Sequence, residues 1–265
     1  MADWNPLLYS RFEDERTRPA AELLARVPLD APGLVVDLGC GPGNSTELLA
    51  ERYRAARIVG IDTSPAMLAA ARARLPALTF ERRDIAEWSA SEPVDLLFAN
   101  ASLQWVRDHG RLIPRLLEAL APGGVLAAQV PDNLDEPNNA LMRATADDPR
   151  FAPYLGTASA ARALILPARQ YYELAAPIAE VDLWRTTYYH PMSGAGAILE
   201  WLCATGLRPF LEPLSPELQR LFLAEYERRI DAAYPVLGDG KRLLAFPRLF
   251  LIARRRPLSA HRRAR

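Results

Sequence analysis

The residues best suited to chemistry lie in one short run, Val35-Val36-Asp37-Leu38-Gly39-Cys40-Gly41-Pro42-Gly43-Asn44-Ser45-Thr46. A β-branched apolar stretch ends near a carboxylate, three glycines follow at alternate positions, and Asn-Ser-Thr reads as a helix start. Strand, tight turn and helix N-terminus in that order let a ligand approach the backbone closely and meet outward-facing N–H groups. Asn44 stands where a Gly-x-Gly-x-x-Gly dinucleotide loop has its third glycine. Asp37, just before the turn, is poorly placed for a pyrophosphate and well placed for a cationic amine.

Three further strand ends extend the pattern. Asp62 closes Arg57-Ile58-Val59-Gly60-Ile61-Asp62, about 20 residues past the glycines, where a carboxylate accepts both hydroxyls of an adenosine ribose. Asp84 and Ile85 follow Leu78-Thr79-Phe80-Glu81 and pair an acceptor for an adenine amine with an apolar surface for its ring. Val94-Asp95-Leu96-Leu97-Phe98-Ala99 runs into Asn100-Ala101-Ser102-Leu103-Gln104-Trp105. Each acid alone reads as a helix cap or turn former. In this order they describe one site at the carboxyl ends of successive strands. S-adenosylmethionine, with its ammonium, carboxylate and sulfonium, suits a loop of such mixed character.

Such a site needs an open α/β sheet beneath it. Apolar residues at helical spacing from Arg111 to Leu120, stopped by Pro122-Gly123-Gly124, precede a fifth strand over Gly124 to Val130. Alternating strands and helices imply parallel strands with right-handed crossovers, hence a doubly wound, mostly parallel sheet. Two more strands, Val181 to Tyr189 and Leu243 to Ala253, bring the count to seven. Helical patterns over Ala195 to Thr205 and Ser215 to Tyr234 form a cap inserted before the last strand, about 193–238. Residues 1–30 are expected as a lid with a helix beginning near Arg18-Pro19, residues 31–255 as the main α/β domain, and 256–265 as a basic, disordered tail.

Composition narrows the class. With 265 residues, half of them apolar, the chain can bury a sizeable core. A formal charge of zero favours neither nucleic acid nor membrane surface, and nothing in the sequence sets an oligomeric state. Lys241 is the only lysine, so nearly every cation is an arginine, the bidentate partner of carboxylates. Cys40 and Cys203 show neither disulfide nor metal-site spacing, and no signal segment opens the chain, which is the pattern of a cytoplasmic protein.

The four strand ends resemble those of class I S-adenosylmethionine-dependent methyltransferases. More narrowly, nearly the whole chain is similar to the family of trans-aconitate methyltransferases. That likeness rests on Asp3-Trp4-Asn5-Pro6, Tyr9, Arg18-Pro19, Asn100 to Trp105, Gln129-Val130-Pro131-Asp132-Asn133, Trp184 to His190 and Ala245-Phe246-Pro247-Arg248-Leu249-Phe250. It is loosest from Asp147 to Ala168 and has no counterpart after Arg255.

The resemblance implies a Rossmann-like fold, S-adenosyl-L-methionine as methyl donor and a small tricarboxylate as acceptor. It implies cofactor contacts from Asp37, Gly39, Gly41, Gly43, Asn44, Asp62, Asp84, Ile85 and Asn100. A carboxylate is already ionised near neutral pH, so its methylation needs aim rather than a general base. The expected clamp is Arg248 and His190 with Tyr188 and Tyr9, joined by Arg18, with Gln104 or Trp105 seating the acceptor. Each has an ordinary reading as a packed or hydrogen-bonded structural residue. A hydroxyl or carbon acceptor, which would require a base such as Tyr188 or His190, stays open at this point, as does a module that binds cofactor without turnover. A nicotinamide-linked oxidoreductase is disfavoured by Asn44.

Overall fold

The computed structural model describes residues 13–156, 165–203 and 206–257. Helix α1 (Glu13–Ala25) leads into β1 (Leu34–Leu38), α2 (Asn44–Arg52), β2 (Arg57–Asp62), α3 (Pro65–Arg74), β3 (Thr79–Arg82) and β4 (Val94–Asn100). A single 3-10 turn (Leu103–Trp105) precedes α4 (His109–Glu118) and β5 (Leu120–Pro131). Then come α5 (Pro137–Ala146), α6 (Ala152–Leu155), α7 (Ala168–Ala175) and β6 (Ala179–Met192). Helices α8 (Ala195–Cys203), α9 (Arg208–Leu211) and α10 (Pro216–Ala233) lead to β7 (Arg242–Arg255).

The strands form one seven-stranded sheet in the order β3-β2-β1-β4-β5-β7-β6. Pairings of β1 with β2 and β4, of β2 with β3, and of β4 with β5 are all parallel. The doubly wound reading therefore holds, and the order reverses between β1 and β4, the crevice where an open sheet takes its ligand. Every residue of β1 is buried, as a strand covered on both faces requires. The core around it joins Val36, Leu38 and Leu97 to Ile113, Leu116 and Leu117, the apolar face of α4.

The chain divides into two compact units. The first is drawn from 13–130, 165–185 and 249–257, the second from 131–156, 186–203 and 206–248 of the described residues. In the second unit, α5 and α10 are joined by buried polar ties: Tyr226 Oη donates to the Asn138 carbonyl at 2.8 Å and the Asn138 N–H donates to Tyr234 Oη at 3.1 Å.

Several boundaries depart from expectation. Helix α1 is in place by Glu13 and carries Pro19 in its interior rather than starting near Arg18-Pro19. Its strong helix formers outweigh the one lost N–H bond. Helix α4 starts at His109 because Asp108, at φ 55°, caps it by accepting the Arg111 N–H at 3.2 Å. Pro122-Gly123-Gly124 does not separate helix from strand: β5 already pairs at Leu120 with Val94, and the register shift before Leu96 absorbs these residues as a bulge. The expected start of α10 holds, with Ser215 accepting the Leu218 N–H at 3.3 Å and Pro216 in the first turn. Tyr9, Thr205 and the tail beyond Pro257 lie outside the described residues.

Candidate active site

The glycine turn is held from both sides. The Gly39 and Cys40 N–H groups both donate to the Ile61 carbonyl, at 2.8 and 2.9 Å, which ties the end of β1 to the end of β2. Gly39 sits at φ 73°, and a Cβ there would stand 2.4 Å from Ser102 Cβ and 3.5 Å from Ile85 Cδ1. Only a residue without a side chain lets the loop after β4 close over the turn. Ser102 completes that closure by donating from Oγ to the Leu38 carbonyl at 2.6 Å. Gly41, at φ 54°, is different: nothing lies within 4 Å of the position its Cβ would occupy. The tip of the turn faces open space, the cradle a ligand's polar end requires.

Asp37 is fully buried, and its Oδ2 accepts from Ser45 Oγ at 2.8 Å and Thr46 Oγ1 at 2.7 Å. These hydroxyls of the first turn of α2 serve the acid; Gly43 precedes α2 with no side-chain cap. Burial pushes the Asp37 carboxyl up from 3.8 to about 6, against the two hydroxyl bonds and with help from Asp62. Oδ1 of Asp37 is buried with no hydrogen-bond partner, and so are both amide atoms of Asn44 and Oε1 of Gln104. Buried polar atoms left in that state cost free energy unless a ligand or water completes them. All stand at the β1 and β4 ends of the first unit, and they supply both acceptors and a donor.

Asp62, at the end of β2, accepts the Gly41 N–H on Oδ2 at 3.0 Å and the Ser64 N–H on Oδ1 at 2.8 Å. It is thus braced between the turn and the start of α3. Asp84 is exposed and opens a turn, accepting the Ala86 N–H at 2.8 Å, while Ile85 is buried against the Gly39 side. Arg115 of α4 pins that segment by donating to the Ile85 carbonyl at 2.7 Å and to the Trp88 carbonyl. Asn100 ends β4 in register with Gln129 of β5, whose side chain donates to Asn100 Oδ1. Gln104 is buried in the 3-10 turn and Trp105 beside it is partly exposed. Arg18 is exposed on α1 and pairs with Glu22 at 2.9 Å. The first unit therefore gathers Asp37, the glycines, Asn44, Asp62 and Ile85 around one turn, with Asn100 held against Gln129 at the end of β4.

In the second unit a different group forms. Tyr188 and His190 alternate on β6 and are both buried, whereas Tyr189 on the opposite face is 60% exposed. The His190 ring lies 4.7 Å from that of Trp201, 6.2 Å from Phe246 and 6.5 Å from Tyr188, centroid to centroid. The Arg248 guanidinium stands 4.9 Å over the Phe246 ring, and Arg248 itself is 4% exposed. Phe246 thus borders both cationic-capable side chains, the guanidinium over its face and the imidazole in an edge arrangement. The Asp132 N–H donates to the Pro247 carbonyl at 2.9 Å, drawing the segment after β5 to the same strand. Arg208 pairs with Glu212 at 3.0 Å.

Sequence reasoning assigned no individual role to Ser102, Gln129, Arg115, Phe246 or Trp201. Ser102 and Gln129 act through contacts that span 64 and 29 positions of chain, which no local pattern reveals. Phe246 could have been found from its alternation with Arg248 on one strand face. Among the described residues no group of three or more His, Cys, Asp or Glu side chains could hold a metal ion, and no helix is long and apolar enough to cross a membrane.

A doubly wound sheet with a Gly-x-Gly-x-Gly turn at its switch point, followed by acids at successive strand ends, defines the class I S-adenosylmethionine-dependent methyltransferases. Residues 35–124 match the methyltransferase domain family. The YcgJ protein of Bacillus subtilis shares the fold, with a TM-score of 0.60 at 13% identity over 91% of this chain and all of that one. A trans-aconitate 2-methyltransferase of Variovorax paradoxus is 60% identical over 258 residues, 97% of this chain and 100% of the relative. One of Paracidovorax citrulli is 63% identical over 259 residues, 96% and 99%. The chain belongs to the trans-aconitate 2-methyltransferase family.

Proposed function

We propose that this chain esterifies one carboxylate of trans-aconitate, yielding the monomethyl ester and S-adenosylhomocysteine. The observation that carries the acceptor assignment is the buried group of Arg248, His190 and Tyr188 around Phe246, in a member of a family whose relatives bear that substrate's name. When bound, S-adenosyl-L-methionine supplies an electrophilic methyl group on a sulfonium.

The chain's own residues aim and hold. Gly41 leaves room for the amino-acid end of the donor, and Asn44 and Asp37 offer it buried polar atoms without partners of their own. Asp62, braced by the Gly41 and Ser64 N–H groups, would accept from the ribose hydroxyls. Asp84 and Ile85 would take the adenine, and Asn100 would hold the methionine end.

On the acceptor side, Arg248 binds a carboxylate with the two parallel N–H groups of its fork, and His190 and Tyr188 supply further donors. Arg18, Tyr9 and Trp105 complete the proposed acceptor set. No residue serves as general base, because the attacking oxygen is already ionised. Orientation is the main lever: holding reactants in a near-attack geometry is worth about 7 to 11 kcal/mol of barrier.

The test follows S-adenosylhomocysteine release from S-adenosylmethionine with trans-aconitate as the sole added acceptor. Release that saturates with trans-aconitate supports the assignment; release no faster than in buffer without acceptor overturns it.

A further inference from the structure

Gln104 carries information about its partner that its position alone does not. Its Nε2 donates to the Ala101 carbonyl at 2.6 Å. A carbonyl only accepts, so the nitrogen must be the atom that faces it, and the orientation of the amide is thereby forced. Oε1 is then turned away from the main chain, buried and without a hydrogen-bond partner, on a residue 4% exposed. The turn that bears it is braced on three sides. Ala101 holds φ 53°, a strained value for a residue with a Cβ, while its N–H donates to the Gln129 carbonyl at 3.0 Å. Ser102 is tied to Leu38 at 2.6 Å, and Gln129 donates to Asn100. A side chain held so firmly presents a pure acceptor at a fixed place.

An acceptor discriminates by charge. Facing a tricarboxylate, Oε1 would oppose lone pair to lone pair in a dry site, which is repulsive. Facing an ammonium, it gains a charge-assisted hydrogen bond and ends its own unpaired state. Oδ1 of Asp37, at the end of the neighbouring strand β1, is a second buried acceptor of the same kind.

We propose that Gln104 belongs to the cofactor half of the site, where Oε1 accepts from the ammonium of S-adenosylmethionine, and is not a ligand of the tricarboxylate. This rests on the donor assignment made above and reverses the acceptor-seating role expected for Gln104 from sequence.

The experiment is a thermodynamic cycle by titration calorimetry. Wild type and Gln104→Leu are each titrated with S-adenosylhomocysteine and with its analogue bearing hydrogen in place of the amino group. The expected result is a loss of about tenfold or more for S-adenosylhomocysteine in Gln104→Leu and no loss for the analogue. The KM for trans-aconitate at saturating cofactor stays within about twofold. Equal losses for both ligands, no loss for either, or a raised acceptor KM with unchanged cofactor affinity overturns the proposal. Gln104→Met, similar in length and lacking the acceptor, replaces the leucine variant if thermal melting shows that one to be unfolded. A wild type that fails to bind S-adenosylhomocysteine would instead remove the donor assignment itself.

Discussion

The carboxylate of Asp62 accepts the Gly41 N–H at 3.0 Å, so the acid that ends β2 is tied to the tip of the glycine turn. The same acid is the proposed partner of the ribose hydroxyls. Asp62→Ala is predicted to lower cofactor affinity at least about tenfold, the loss of a single charge-assisted bond. It also removes the brace on Ser64, so the melting temperature falls as well. Calorimetry that finds unchanged affinity would contradict the placement of the ribose at the end of β2.

The two glycines at 39 and 41 separate folding from binding. Alanine at either position carries the left-handed backbone penalty of about 1–2 kcal/mol. At Gly39 the added methyl also meets Ser102 Cβ at 2.4 Å, whereas at Gly41 it enters open space. Gly39→Ala is therefore predicted to lower stability sharply, and Gly41→Ala to lose only the backbone penalty in stability while also losing cofactor affinity. Thermal melts and titrations on the pair decide; equal destabilisation by both would contradict an open cradle at Gly41.

Asp37 links the site to pH. A carboxyl raised from 3.8 to about 6 favours the protonated form in the folded state. The stability it contributes is full below pH 3.8 and is lost as pH rises through about 6, a cost of about 3 kcal/mol at neutral pH. Wild type is thus predicted to lose stability relative to Asp37→Asn between pH 4 and 7. Cofactor binding runs the other way, because a cationic ligand favours the ionised acid. Affinity for S-adenosylmethionine should rise with pH across the same window in wild type and stay flat in Asp37→Asn. An identical pH profile in both proteins would contradict a cation beside Asp37.

Arg248 is buried with its guanidinium over Phe246, a setting an ammonium cannot reproduce. Arg248→Lys keeps the charge and loses both the stack and the fork. The expected outcome is a KM for trans-aconitate raised about tenfold or more, with cofactor affinity unchanged. Steady-state kinetics at saturating cofactor measure it, and an unchanged KM would remove Arg248 from the clamp.

The parallel half of the sheet could be read from β-branched runs closed by acids, because there each strand's burial and each turn's glycine are local properties. The turn itself, from Asp37 to Thr46, was legible for the same reason. What escaped was the use to which residues are put across the chain. Asn44-Ser45-Thr46 read only as a helix start, yet the Ser45 and Thr46 hydroxyls bind Asp37. Pro122-Gly123-Gly124 read as a stop, yet β5 takes it as a bulge. Pro19 read as a helix start, yet α1 runs through it. The proposed acceptor residues were nameable from family likeness, but the aromatic rings packed against them, Phe246 and Trp201, appear only once β6, β7 and α8 are folded.

The most direct test of the account is transfer of labelled methyl from S-adenosylmethionine to trans-aconitate, beside cis-aconitate, citrate and isocitrate, followed by mild base treatment of the product. The account predicts a base-labile methyl ester on trans-aconitate, with much weaker transfer to the other three acids. Cofactor binding without transfer to any of these acids, or a product whose label survives base, would contradict it.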